Sequence, residues 1–72
     1  MNPVDVEGLL YVLCVELGFC LDPDPREQLI SNPPSDVDAF TDAVIRAEGL
    51  EPHELRPDIR EQVRVRVERA FG

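Results

Sequence analysis

Val63-Arg64-Val65-Arg66-Val67 alternates apolar and basic residues, the pattern of a half-buried β-strand. It lies inside a longer segment, Pro57 to Phe71, in which Ile59, Val63, Val67 and Phe71 recur every four residues. Side chains four apart share one face of a helix, whereas a strand returns to the same face every second residue. The alternation lasts five residues, while the four-residue spacing runs from 59 to 71 and leaves only Val65 off the stripe. Pro57 suits a first helical turn, where its missing N–H has no partner to lose. The segment therefore reads as a helix, and nothing else in the chain argues for a strand.

Working back from this helix, each upstream segment carries its own start and stop signals. Asn2 and Pro3 read as cap and first helical position, and Val6, Leu10, Leu13 and Leu17 form a helical stripe. Gly18 supplies a left-handed stop, with Phe19 as an apolar clasp. Asp24-Pro25-Arg26-Glu27 reads as cap, first-turn proline and reciprocal acid. Leu29 and Ile30 are the apolar content of that short helix, and Asn32-Pro33-Pro34 ends it. A third helix starts from Ser35 with Asp38 three residues on, carries Val37, Phe40, Val44 and Ala47 as one stripe with Ile45 flanking it, and stops at Gly49-Leu50. Glu51 to Leu55 reads as a single turn. The expected architecture is all-α: one domain over residues 1–72, a compact bundle of four helices near 3–17, 25–31, 36–48 and 57–70, the second short, without a sheet.

Leu9 to Val15 is apolar on every face of the first helix. A helix apolar all round is buried all round or meets another protein. The first expectation is that this helix occupies the centre of the bundle. The second is that Tyr11, Val12 and Val15, which cannot share the face that Leu10, Leu13 and Leu17 bury, form a partner-binding surface. Self-association to a homodimer is its sharpest form.

Charge narrows the function classes. The chain has 72 residues, fifteen acids against seven bases, a net charge of −8 and no lysine. Such a surface repels phosphate backbones and anionic membranes and suits basic partners. The all-arginine usage points to a GC-rich bacterial genome. Residues 1–55 hold twelve acids against two arginines, and residues 56–72 hold three acids against five arginines. Arg56, Arg60 and Arg64 step along one edge of the last helix. They offer an alternative, nucleic-acid contact, but arginines there also complement the helix dipole and acidic neighbours. Asp38, Asp42 and Glu48, with Asp36, form an acidic face that could receive a basic protein. Asp36 and Asp38 double as first-turn caps.

Chemistry finds few footholds. Cys14 and Cys20 are too few for a disulfide framework, so a cytoplasmic, reducing location is the default. Cys14 reads as a core thiol and Cys20 as an exposed one. With His53 they match no zinc spacing, and Asp22-Pro23-Asp24 lacks the glycine of a calcium loop. His53 beside Glu51 and Glu54 is the one conceivable acid–base couple. No nucleophile, base and orienting group can be assembled, so no catalytic residue, metal or cofactor is expected. The longest apolar run is seven residues, far short of a membrane span.

Overall fold

The computed structural model describes residues 5–72 and contains four helices, α1 (Val6–Leu17), α2 (Pro23–Ser31), α3 (Val37–Ala47) and α4 (Pro57–Phe71). No strand occurs among the described residues. The Val63–Val67 alternation is helical, and its logic is three-sided. Val63 and Val67 are buried in the core, Arg64 turns toward α3 and Arg66 toward α1.

Three helix starts differ from the sequence expectation. Helix α1 begins at Val6, not near residue 3, because the Asp5 carboxylate accepts a hydrogen bond from the Gly8 N–H at 3.0 Å and serves as the cap. The expected Asn2 and Pro3 signals lie outside the described residues. Helix α2 begins two residues earlier than expected, with Asp22 as N-cap. Pro23 and Pro25 both fit its first turn, where no N–H is needed, so Asp24 becomes a first-turn acid instead of the cap. Helix α3 is capped by Asp36, which accepts from the Ala39 N–H at 2.9 Å, in place of Ser35. A carboxylate at this position adds charge to the hydrogen bond, which a serine hydroxyl cannot.

The stops follow the expected geometry. At Gly18 (φ 77°) the chain turns left-handed, and the Phe19 N–H donates to the Leu13 carbonyl at 3.1 Å. Gly49 (φ 83°) repeats this, with the Leu50 N–H donating to the Ile45 carbonyl. Phe19 is buried as a clasp, but Leu50 stays largely outside. The Glu51–Leu55 segment forms a turn held by the Glu51 carbonyl, which accepts from the N–H groups of Glu54 and Leu55.

One core joins all four helices. Leu13, Phe40, Val44, Ile45, Val63 and Val67 are fully buried at its heart, with Leu9, Leu10, Phe19 and Leu29 around them. Phe40 meets Phe71 edge to face, with ring centroids 5.6 Å apart. Thr41 is buried too, its hydroxyl donating to the Val37 carbonyl at 2.8 Å. Helix α4 packs against both α3 and α1, and α2 bridges α1 to α3. Helices α1 and α3 lie diagonally, with no pair of Cα atoms within 8 Å. The expectation that α1 sits at the centre is therefore corrected: it is one wall of four. In a ring of four helices each can bury only one face, so the surplus apolar residues of α1 point outward.

Candidate functional site

That outward face is the most conspicuous candidate surface. Tyr11 and Val15 are one helical turn apart and 68% and 63% exposed. Val12, predicted to join them, is half-buried and lines a cleft against α4 with Leu9, Arg66 and Ala70. So two of the three expected residues form the exposed face, and the third forms its inner edge. Leu10, Tyr11, Leu21 and Arg26 line a small hollow with Cys14 and Cys20.

The cysteines are not free. Cys14 and Cys20 form a disulfide across the end of α1, which corrects the reading of Cys14 as a buried thiol and of Cys20 as a reactive one. Cys14 lies in the last turn, and the left-handed residue Gly18 returns the chain so that Cys20 comes to rest beside it. The argument from unpaired cysteines to a reducing compartment goes with it. No helix of the described residues is long and apolar enough to cross a membrane.

The acidic face of α3 is largely committed inside the molecule. Asp38 and Asp42 are four apart on α3, Arg60 and Arg64 are four apart on α4, and the two helices run antiparallel. Arg60 Nη2 lies 3.0 Å from Asp42 Oδ1 and 3.7 Å from Asp38 Oδ1, and Arg64 Nε donates to Asp38 Oδ1 at 2.9 Å. Arg64 also reaches Glu68, one turn further along α4. These carboxylates, first among them Asp38, hold the Arg64 guanidinium above its ordinary pKa. Arg56 grips Asp58 with two nitrogens, each at 3.2 Å. Arg66 Nε meets Glu16 Oε1 at 3.0 Å and ties α4 to α1. All three arginines of the sequence-derived basic edge thus carry a carboxylate partner. The complementary four-residue spacings of Asp38/Asp42 and Arg60/Arg64 were the signal for this ladder.

The Asp42–Arg60 pair is the more sheltered, each side chain 29% exposed. A double-mutant cycle with Asp42→Ala and Arg60→Ala, followed by thermal unfolding, should return a coupling of about 1 kcal/mol that shrinks in high salt. A coupling of zero would mean that the ladder is surface decoration.

Glu48, the third acid of the predicted face, is the C-cap of α3 and sits apart from the ladder. One of its oxygens, Oε1, is shielded from solvent without a hydrogen-bond partner. Burial, and then the charge of Asp22, push its carboxyl above the usual carboxylate range. The sign follows: with a folded pKa above the unfolded one, the folded state holds its proton more tightly. Stability from this group is present at low pH and declines as pH rises from the unfolded pKa through the folded one. Glu48→Gln should therefore raise the melting temperature at pH 7 and leave it unchanged near pH 3. Equal shifts at both pH values would contradict the assignment.

His53 lies on the exposed 51–55 turn, its Nδ1 3.8 Å from Glu51 Oε2. The nearby cleft is lined by Gly49, Leu50, Glu51, Glu54 and Leu55, without His53. No cluster of three or more metal-ligating side chains occurs among the described residues.

A groove of about 680 Å³ among the described residues, between α2 and α3, was not anticipated. Pro25, Leu29, Pro34, Ala43 and Ala47 form its apolar lining, and Gln28, Ser31, Asn32 and Arg46 its polar one. Its residues are scattered over two helices and a loop, so no local pattern announces it. Comparison with protein-family models, with curated proteins and with solved structures returns no match.

Proposed function

We propose that this is a small, non-catalytic protein-interaction module that works through the outward face of α1 and self-associates there. The carrying observation is the exposure of Tyr11 and Val15, two large apolar side chains one turn apart on a helix whose other face is in the core. Apolar groups gain from leaving water, and no other described residue covers these two. The acidic face of α3 is the weaker candidate surface, because Asp38 and Asp42 are engaged by α4. The nucleic-acid alternative has no specific observation in its favour, since Arg56, Arg60 and Arg64 are each neutralised by a neighbouring carboxylate.

Two copies of a chain of charge −8 repel each other at low salt. Dimerisation through Tyr11 and Val15 should therefore strengthen as salt is added, opposite to an ion-pair interface. Sedimentation velocity from low micromolar to near-millimolar protein, at low and high salt, tests this. The expected result is a salt-promoted dimer that Tyr11→Ser with Val15→Ser abolishes while leaving the helical circular dichroism unchanged. A strict monomer throughout sinks the self-association. A cytoplasmic setting for the module would require the Cys14–Cys20 bond to persist against cellular thiols.

A further inference from the structure

We infer that the groove between α2 and α3 is a docking site for the C-terminal end of a partner polypeptide. The terminal carboxylate would lie on Arg46 and the last, apolar side chain over Leu29, Ala43 and Ala47. The first ground is the distribution of charge. Fifteen acids spread evenly over 72 residues would place roughly two among the nine lining this groove, yet it has none. The second is that its one charge, the exposed Arg46, makes no ion pair with another described residue; Arg69 of α4 shares this, whereas Arg26, Arg56, Arg60, Arg64 and Arg66 are all paired. Gln28, Ser31 and Asn32 likewise offer side chains engaged in no hydrogen bond with another described residue. An acidic molecule thus keeps carboxylates out of this groove and lines it with a guanidinium and polar groups that no other described side chain engages.

The spacing selects the ligand. Ala43, Arg46 and Ala47 lie within about 6 Å of helix axis, so the anionic and apolar parts of the occupant must sit side by side. A C-terminal residue joins a carboxylate and an apolar side chain at one carbon. A guanidinium fork matches the planar carboxylate with two parallel hydrogen bonds. The groove's volume is within the range of sites that enclose a few residues or a small molecule.

The test is a titration of the full, isotope-labelled chain, followed by amide NMR shifts, with three probes. N-acetyl-leucine carries the carboxylate and the apolar side chain. N-acetyl-leucinamide lacks the charge, and the α-amide of N-acetylglutamic acid has a side-chain carboxylate without the apolar group. The expected result is saturable, millimolar-range shifts centred on Leu29, Ala43, Arg46 and Ala47 with N-acetyl-leucine, and binding about fivefold weaker for each of the other two. Arg46→Gln should lower N-acetyl-leucine affinity to the level of the uncharged amide and leave the amide's affinity unchanged. Shifts centred elsewhere, no saturation, binding of either control probe as tight as that of N-acetyl-leucine, or indifference to Arg46→Gln would overturn the proposal. None of these readouts involves Tyr11 or Val15, so it stands or falls separately from the α1 interface.

Discussion

Phe40→Ala should cost about 3–5 kcal/mol, the range for deleting a buried aromatic ring and leaving its cavity behind. Phe40 is fully buried on α3 and meets Phe71 of α4 edge to face, at the end of the antiparallel α3–α4 pair away from their connecting turn. A chain of this length has about 4–11 kcal/mol of total stability. The variant should therefore melt more than about 10 °C below the parent, and in the lower part of that range be substantially unfolded at 25 °C. Phe71→Ala is the informative companion. Phe71 is only partly buried in the last turn of α4, so its loss removes the ring contact without opening the centre of the core. It should cost about 1–2 kcal/mol. Chemical denaturation of both variants checks the pair of values. A Phe40→Ala variant within 1 kcal/mol of the parent would mean that the core is placed elsewhere.

The second large effect belongs to the disulfide. Cys14 and Cys20 are six residues apart, so their bond closes a short loop, and the chain-entropy argument assigns it about 2 kcal/mol. Reduction, or Cys14→Ser with Cys20→Ser, should lower the melting temperature by about 8–16 °C without removing the helices at 25 °C. The fold survives because Gly18 and the buried Phe19 hold the same chain reversal without the bond. Calorimetry with and without a thiol reductant reads the shift, and thiol alkylation of the untreated protein reads the pairing. Two freely alkylated cysteines, or an unchanged melting temperature on reduction, would remove the bond from the account. Thiol alkylation after equilibration with glutathione buffers of graded potential measures how well the bond resists a reducing compartment.

How much of this was legible beforehand divides along a physical line. Gly18 and Gly49 end their helices in the sequence because a left-handed residue is a local requirement that glycine meets alone. The cap positions were less certain by one to three residues. Asp5, Asp22 and Asp36 each stand within three residues of another capping residue of the sequence, so the local pattern alone does not choose between them. The disulfide was within reach of local reasoning, since the reversal at Gly18 returns Cys20 to the last turn of α1. Counting cysteines without folding that reversal hid it.

The sequence by itself determined the four helices, their order and the apolar stripe of each. Those depend on hydrogen bonds and side-chain periodicity within one turn of the chain. Only the tertiary structure decided that α1 is a wall and not the centre, that Arg60 and Arg64 are held by Asp42 and Asp38, and that Arg46 lines a groove without an ion pair to another described residue. Each of these depends on which residues distant along the chain are brought together. A charge on a sequence is only a possibility of contact, and the packing of α4 between α1 and α3 settles which possibilities are spent within the molecule and which remain open to a partner.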